Sequence, residues 1–186
     1  MQSYRNSEPP PPIMEGAPPP EDMRVPFIDW DRPPWNRWAF QRVRQIVPTA
    51  PIRKGVRVSA LPADADRLDD FAWRGRNGEE TRFARMLDET YTDAMWVWKD
   101  GRVLHESYHN GMDARSVHLL QSVSKSITAT AGAALIDTGL IDPAAPVTEY
   151  LPELGGTAWR GATVQQVLDM TSGVRFGESY DQRDSD

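Results

Sequence analysis

The sequence predicts an α/β (α+β) fold in which an antiparallel β-hairpin accompanies one long, buried helix. Two stretches carry this prediction. Residues 92–108 consist of a run rich in Trp and Val, the pair Asp100-Gly101, and a second β-forming run, which is the pattern of a hairpin with a two-residue turn. Residues 119–136 carry no charge apart from Lys125 and are rich in alanine, and Gly139 follows as the expected end of a helix.

The N-terminal part of the chain has a different composition, because twelve of the sixteen prolines lie in residues 1–51. Proline excludes helix interiors and central strands, so residues 1–25 are predicted to form a disordered tail resembling polyproline II. Residues 26–60 concentrate large aromatic side chains, which predicts a segment that docks on the main domain, residues 61–186. The aromatic residues are Phe27, Trp30, Trp35, Trp38 and Phe40.

Two shorter helices are predicted from the spacing of a capping box, in which a residue with a short polar side chain precedes Glu or Gln by three positions. Asn77 with Glu80 precedes apolar positions that continue to about residue 90. Thr163 with Gln166 precedes a second apolar helix face, and Gly173 ends that helix.

Composition excludes several classes of function. The chain of 186 residues has a net charge of −6 and a pI of about 5.1, which argues against nucleic acid or an anionic membrane surface as partner. The absence of cysteine excludes disulfides and thiolate chemistry. No export signal and no apolar run near the length of a membrane span are visible, so we expect a soluble, cytoplasmic protein.

Ser122 and Lys125 form the candidate catalytic pair. They lie three residues apart where the long helix is predicted to begin, so their side chains share one face. The positive end of the helix and burial both disfavour an ammonium group, so Lys125 is a candidate neutral base for the Ser122 hydroxyl.

Ser-x-x-Lys is a weak signal by itself, since about one occurrence is expected by chance in a chain of this size. Lysine is scarce here, with three lysines against eighteen arginines, and only Lys125 has a serine three positions before it. The alternative is a surface lysine at a helix start with Ser122 as N-cap. Spacing alone does not decide between the two.

A competing motif is His105-Glu-Ser-Tyr-His109, which matches the His-Glu-x-x-His pattern of zinc peptidases. That chemistry requires a helix, whereas these residues follow the hairpin turn on a predicted strand. Residues four apart on a strand are separated by about 13 Å, and a shared zinc needs each nitrogen at about 2.1 Å. The sequence therefore favours partly exposed histidines on an edge strand over a metal site.

Several motifs in order resemble one family. Ser122-Val-Ser-Lys125, Gly139–Pro143, Pro146–Leu154 and Val167–Gly173 follow the hairpin as they do in serine hydrolases of the class C β-lactamase and D-alanyl-D-alanine peptidase fold. Among these, the likeness over about residues 33–180 is to the nylon-oligomer hydrolases. The resemblance implies a β-lactamase/transpeptidase-like fold and a small-molecule amide or ester substrate.

The family resemblance also implies roles for individual residues. Ser122 would form an acyl-enzyme, Lys125 would transfer its proton, and the Ser122 N–H would be one oxyanion-hole donor. Tyr180 would lie on a mobile loop over the substrate. No metal or cofactor takes part in the family's reaction.

The family's second acid/base tyrosine and its Lys- or His-x-Gly strand lie downstream of the matched stretch. The tyrosines that precede Ser122 do not match that motif. We therefore expect this chain to be the N-terminal part of a longer fold, inactive alone, whose missing C-terminal part is supplied by further chain or by a second chain. A non-catalytic binding relative of the same fold is the alternative.

Overall fold

A computed structural model of the chain describes residues 3–63, 68 and 70–177. The chain forms two compact units, Met1–Leu119 and Leu120–Asp186. The boundaries expected from composition, after residues 25 and 60, both fall inside the first unit, and those subdivisions stay a prediction. Across the described ranges, no helix has the length and apolarity needed to cross a bilayer.

The first unit combines short helices with two antiparallel hairpins. Strand β1 pairs with β2, and β3 pairs with β4. The elements are α1 (Asn36–Ala39), β1 (Ala72–Arg74), β2 (Glu80–Arg82), α2 (Phe83–Glu89), β3 (Ala94–Lys99) and β4 (Arg102–Tyr108).

The β3–β4 hairpin confirms the predicted turn. Asp100 and Gly101 both adopt positive φ, 52° and 78°, which two-residue turns of this hand require and which the Asp-Gly pair accepts at low cost. Trp96 pairs with Glu106 and Val97 with His105, so alternate residues of β4 face opposite sides. The mixed, antiparallel character predicted for the fold is therefore present in this unit.

Part of the core of the first unit lies between α2 and one face of β4, while Ile13, Pro34 and Ala39 are buried elsewhere in the unit. Phe83 and Leu87, one turn apart on α2, are both buried, as are Val103 and His105 on β4. The Phe83 and His105 rings meet edge to face, with centroids 4.7 Å apart. Phe83 and Leu87 of α2 thus cover the face of β4 that carries the His105 imidazole.

The predicted capping box at Asn77 is wrong. Glu80 belongs to β2, whose three residues pair with β1 before α2 begins at Phe83. Asn77 Oδ1 instead accepts the N–H of Glu79 at 3.2 Å within the turn of this hairpin. Strand pairing satisfies the backbone groups that the predicted helix would have used, so the helix starts five residues later than a cap at Asn77 predicts.

Residues 3–25, for which the sequence predicts a disordered tail, make specific contacts. The N–H and hydroxyl of Ser7 donate to the Asp88 carboxylate at 2.8 and 2.9 Å. Asn6 Nδ2 donates to the Thr92 carbonyl at 2.9 Å, and Ile13 is buried. These contacts differ from the disordered tail that the sequence predicts. The prolines of the segment have no N–H to donate, but its polar residues form hydrogen bonds that hold it.

The second unit contains α3 (Val123–Asp137), two 3₁₀ turns (Val147–Glu149 and Pro152–Gly156) and α4 (Val164–Leu168). A short antiparallel bridge joins Pro146 to Thr163. Its small core is formed by Ala145, Val147 and Ala162, which are all buried.

The end of α3 agrees with the prediction that Gly139 terminates it. Gly139 has φ of 74° and donates its N–H to Ile136 O at 2.9 Å, while Leu140 N donates to Leu135 O at 3.0 Å. This pair of bonds is the Schellman motif, in which glycine accepts the left-handed conformation without a Cβ clash.

The capping box at α4 is confirmed and gives a first testable expectation. Thr163 Oγ1 accepts the Gln166 N–H at 3.1 Å, and Gln166 Oε1 accepts the Thr163 N–H at 3.0 Å. Replacing Thr163 by alanine should destabilise α4 by about 1 kcal/mol, seen as faster amide exchange at Gln166. Thr163→Ser retains the hydroxyl and serves as the control, so equal exchange in both variants would contradict a capping role.

Candidate active site

Ser122 and Lys125 meet at the start of α3, as their spacing predicts. Ser122 directly precedes the first residue of the helix and makes no capping hydrogen bond with its side chain. Lys125 Nζ donates to Ser122 Oγ at 2.9 Å. The hydroxyl is therefore paired with the amine and not with the backbone, so the alternative that Ser122 serves as a side-chain N-cap is not what the structure contains.

The backbone around the pair has helical hydrogen bonding from the first turn. Lys125 N donates to Ser122 O at 3.0 Å and Ser124 N to Gln121 O at 3.1 Å. Gln121, the residue before the serine, adopts φ of 48°, a region that residues with a Cβ rarely occupy. A conformation of this kind persists only when surrounding contacts impose it.

The prediction that α3 is buried is wrong for the described residues. None of its fifteen residues is buried, and Val123 and Ile127 are 57% and 60% exposed. Ser122 and Lys125 are exposed with it. Among the described residues of its unit, short turns and the five-residue α4 are the elements that could cover this apolar helix. Leu168 Cδ2 of α4 lies 3.7 Å from the position that a Cβ would take at Gly132.

Tyr180, the candidate substrate-binding residue, lies outside the described residues. Ser122 and Lys125 are therefore the site residues whose geometry the structure describes.

Four residues of the His-Glu-x-x-His motif lie on strand β4 and His109 directly follows it, so the helix that a zinc peptidase needs is not formed. Both imidazoles converge on one hydroxyl, since His105 Nε2 and His109 Nε2 lie 2.8 and 3.2 Å from Ser107 Oγ. Glu106 instead pairs with the Tyr108 hydroxyl. His105 is buried, in contrast to the partly exposed side chain that the sequence predicts.

The sequence did not reveal a polar network that includes His118, which lies four residues before Ser122 in the chain. Arg37, only 3% exposed, donates through Nη2 to Asp93 Oδ1 at 2.7 Å. Asn110 Nδ2 donates to the same oxygen at 3.0 Å, and His118 Nε2 lies 3.0 Å from Asp93 Oδ2. Burial opposes ionisation of Asp93, but hydrogen bonds from His118 and Arg37 outweigh it and lower the pKa of that carboxyl group.

The Asp93 carboxylate raises the pKa of His118 through its hydrogen bond, against the opposing effect of burial. The only sequence signal for this network was a histidine four residues before Ser122 in a chain with three histidines. His118 contacts Asp93, 25 positions earlier, and Asp93 in turn contacts Arg37, 56 positions before it, so no local pattern connects these three residues.

Comparison with known proteins provides an independent line of evidence. A family model described as Beta-lactamase matches residues 81–186. The 6-aminohexanoate-dimer hydrolase of Paenarthrobacter ureafaciens is 45% identical over 157 residues, which is 83% of this chain and 38% of that protein. A beta-lactamase of Yersinia enterocolitica is 41% identical over 54 residues, 29% of this chain and 14% of that protein.

A solved structure shares the fold. The protein, from Bacillus anthracis and provisionally named a 6-aminohexanoate-dimer hydrolase, superposes with a TM-score of 0.75 at 27% sequence identity. The match covers 89% of this chain and 43% of that one. The chain thus spans less than half the length of each of these three relatives.

Proposed function

This chain belongs to the beta-lactamase family, and from that premise we propose that it carries the nucleophile and the base of a serine hydrolase, Ser122 and Lys125. The observation that supports this assignment most directly is the 2.9 Å contact between Lys125 Nζ and Ser122 Oγ. A hydroxyl paired with an amine at a helix N-terminus is the arrangement needed to activate a serine.

The proposed reaction proceeds through an acyl-enzyme. The Ser122 oxygen attacks the carbonyl carbon of an amide or ester while its proton moves to a neutral Lys125 amine. The bond from that carbon to nitrogen or oxygen breaks, and the leaving group takes the proton from Lys125. Water then attacks the acyl-enzyme, releases the carboxylic acid and restores both side chains. Each step balances with these residues and water, without a cofactor.

The backbone N–H of Ser122 is the proposed donor to the oxyanion that forms during each attack. Because the helix N-terminus carries a positive partial charge, a developing negative charge is stabilised there. A second donor is expected from the part of the fold that lies beyond the matched segment.

We further propose that additional polypeptide, in the same chain or in a second one, covers α3 and completes the site. The apolar side chains exposed along α3 support this step. Covering them would also shield the Ser122–Lys125 pair from water, which strengthens the electrostatic interactions inside the site. The identity with the dimer hydrolase supports a small-molecule amide or ester as substrate. Tyr180 is proposed to contact that substrate, as the family resemblance implies.

The test is covalent labelling. The chain is combined with the C-terminal portion of the Paenarthrobacter hydrolase that this chain does not match, and is treated with a fluorophosphonate. We expect the label on Ser122, identified by peptide mass spectrometry, and no label after Ser122→Ala. Ser124→Ala, two residues further along the same helix, is the matched control and should label normally. A label on another residue, or none on the complemented protein, would refute the assignment.

A further inference from the structure

We propose that His118 is a positioning residue, held as an imidazolium between the Asp93 carboxylate and the Leu119 carbonyl, that fixes the chain where it leads into α3. The inference deepens the proposed function, since it concerns how Ser122 is presented for reaction. His118 itself is not placed in contact with substrate.

The two hydrogen-bond partners of the His118 ring determine which of its nitrogens carry a proton. His118 Nδ1 lies 2.8 Å from the carbonyl oxygen of Leu119, and Nε2 lies 3.0 Å from Asp93 Oδ2. A carbonyl oxygen has no proton to donate, and an ionised carboxylate has none either. Both ring nitrogens must therefore donate, and a ring that donates from both nitrogens is an imidazolium.

The carboxylate partner is held independently of the histidine. Arg37 donates to Asp93 Oδ1 from Nε at 3.2 Å and from Nη2 at 2.7 Å, and Asn110 Nδ2 adds a third donor. The other oxygen, Oδ2, is thereby directed to His118. Asp93 is 9% exposed, so its charge is screened little by water.

The groups around the imidazole divide clearly by charge. Asp93 is the anion that touches the ring, Arg37 is the cation on the far side of that carboxylate, and the Phe40 ring packs edge to face at 5.7 Å. Asn110 and the Leu119 carbonyl contribute neutral dipoles. Among the described residues, Asp93 is the anion that contacts the ring, and the nearby Arg37 is already paired with it.

The contacts of His118 with Asp93 and Leu119, here called the clamp, hold the backbone of Leu119 next to a second hydrogen bond. The Leu119 carbonyl accepts from His118, and the Leu119 N–H donates to Phe40 O at 2.8 Å. Ser122 is three residues further along the chain, and Gln121 between them holds the unfavourable φ of 48°. A residue kept in that conformation needs constraint from its surroundings, and we assign the contacts of Leu119, two residues earlier, as one such constraint.

The expected pH dependence follows from the direction of the shift. The pKa of His118 is raised by Asp93, so its protonated form is favoured by folding. The stabilisation is complete below the pKa of an unfolded histidine, about 6.5, and is lost as pH rises through the higher folded value. The clamp should therefore hold at acidic pH and release as pH rises through the raised pKa of folded His118.

The first experiment is long-range ¹H–¹⁵N spectroscopy of the imidazoles in the 186-residue chain across a pH titration. We expect His118 to be doubly protonated at neutral pH with a midpoint above that of His109, whose pKa is lowered by burial and by His105. Asp93→Asn should move the His118 midpoint down. A singly protonated His118 at neutral pH, or a midpoint not above that of His109, would overturn the proposal whether or not the Asn variant folds.

The second experiment separates positioning from stability. In the complemented hydrolase, His118→Gln, which cannot donate in two directions, should slow fluorophosphonate labelling of Ser122 by about 10- to 100-fold. The unsubstituted protein should slow only as pH rises through the His118 midpoint. His109→Gln is the control and should label at the unsubstituted rate.

The two experiments keep the two proposals distinguishable. Normal labelling of His118→Gln would end the positioning role while leaving Ser122 as the nucleophile. Absence of labelling in the unsubstituted protein would end the proposed function and the positioning role together, whereas the doubly protonated ring is judged by the spectra alone.

Discussion

Replacing Lys125 by methionine should slow acylation of Ser122 by about 10²- to 10⁴-fold, the usual contribution of a general base. Methionine keeps most of the side-chain length but has no lone pair basic enough to take the serine proton. Measured on the chain combined with the unmatched portion of the Paenarthrobacter hydrolase, the burst of product from a chromogenic ester should be lost. The serine would remain in place without the amine that contacts it at 2.9 Å.

Two further variants show what Lys125 contributes. Lys125→Arg keeps a positive charge but cannot supply a neutral base, because guanidinium does not deprotonate in proteins. If the base role is correct, arginine should be as damaging as methionine; if charge alone mattered, arginine should restore activity. Lys99→Met, at the end of β3, is the matched control and should react at the original rate. Full activity of Lys125→Met would exclude the proposed mechanism.

Replacing Arg37 by methionine should lower the free energy of unfolding by about 1.5–3 kcal/mol, the usual effect of losing hydrogen bonds to a charged group, because Asn110 and His118 still contact the Asp93 carboxylate. Arg37 is 3% exposed and Asp93 9%, so removal of the guanidinium leaves a carboxylate with little access to water. Arg37 also donates to Asn6 Oδ1 at 2.6 Å and to the Tyr4 carbonyl, so the N-terminal segment should loosen as well.

Urea unfolding followed by tryptophan fluorescence measures this effect. Arg32→Met is the control, because its side chain is 71% exposed and its pairing with Asp29 is a surface contact of little consequence. The double variant Arg37→Met with Asp93→Leu removes both charges and should recover part of the lost stability. A small effect of Arg37→Met alone would show that Asp93 finds other partners.

Local sequence patterns correctly predicted the features that depend on interactions between residues close together in the chain. The Asp100-Gly101 turn, the glycine that ends α3 and the capping box of α4 each depend on residues within five positions of one another. The Ser122–Lys125 contact belongs to the same class, since helix geometry alone brings side chains three residues apart onto one face.

The pattern at Asn77 failed because a non-local interaction competed with it. The capping-box spacing was correct, but residues 80–82 pair with residues 72–74, and strand hydrogen bonds replace those of a first helical turn. The helix survives as Phe83–Glu89 with its buried Phe83 and Leu87. The sequence thus predicted that a helix forms in this region, but it did not predict the residue at which the helix begins.

By itself the sequence determined the family, the hairpin, the helix stops and the pairing of an alcohol with an amine one turn apart, because each is encoded over short separations. Tertiary structure alone decided that Arg37, Asp93 and His118 meet, that the proline-rich segment is held by polar contacts, and that α3 remains uncovered in the described chain. Burial and ion pairing depend on which distant residues share a neighbourhood, and no periodicity in a single chain carries that information.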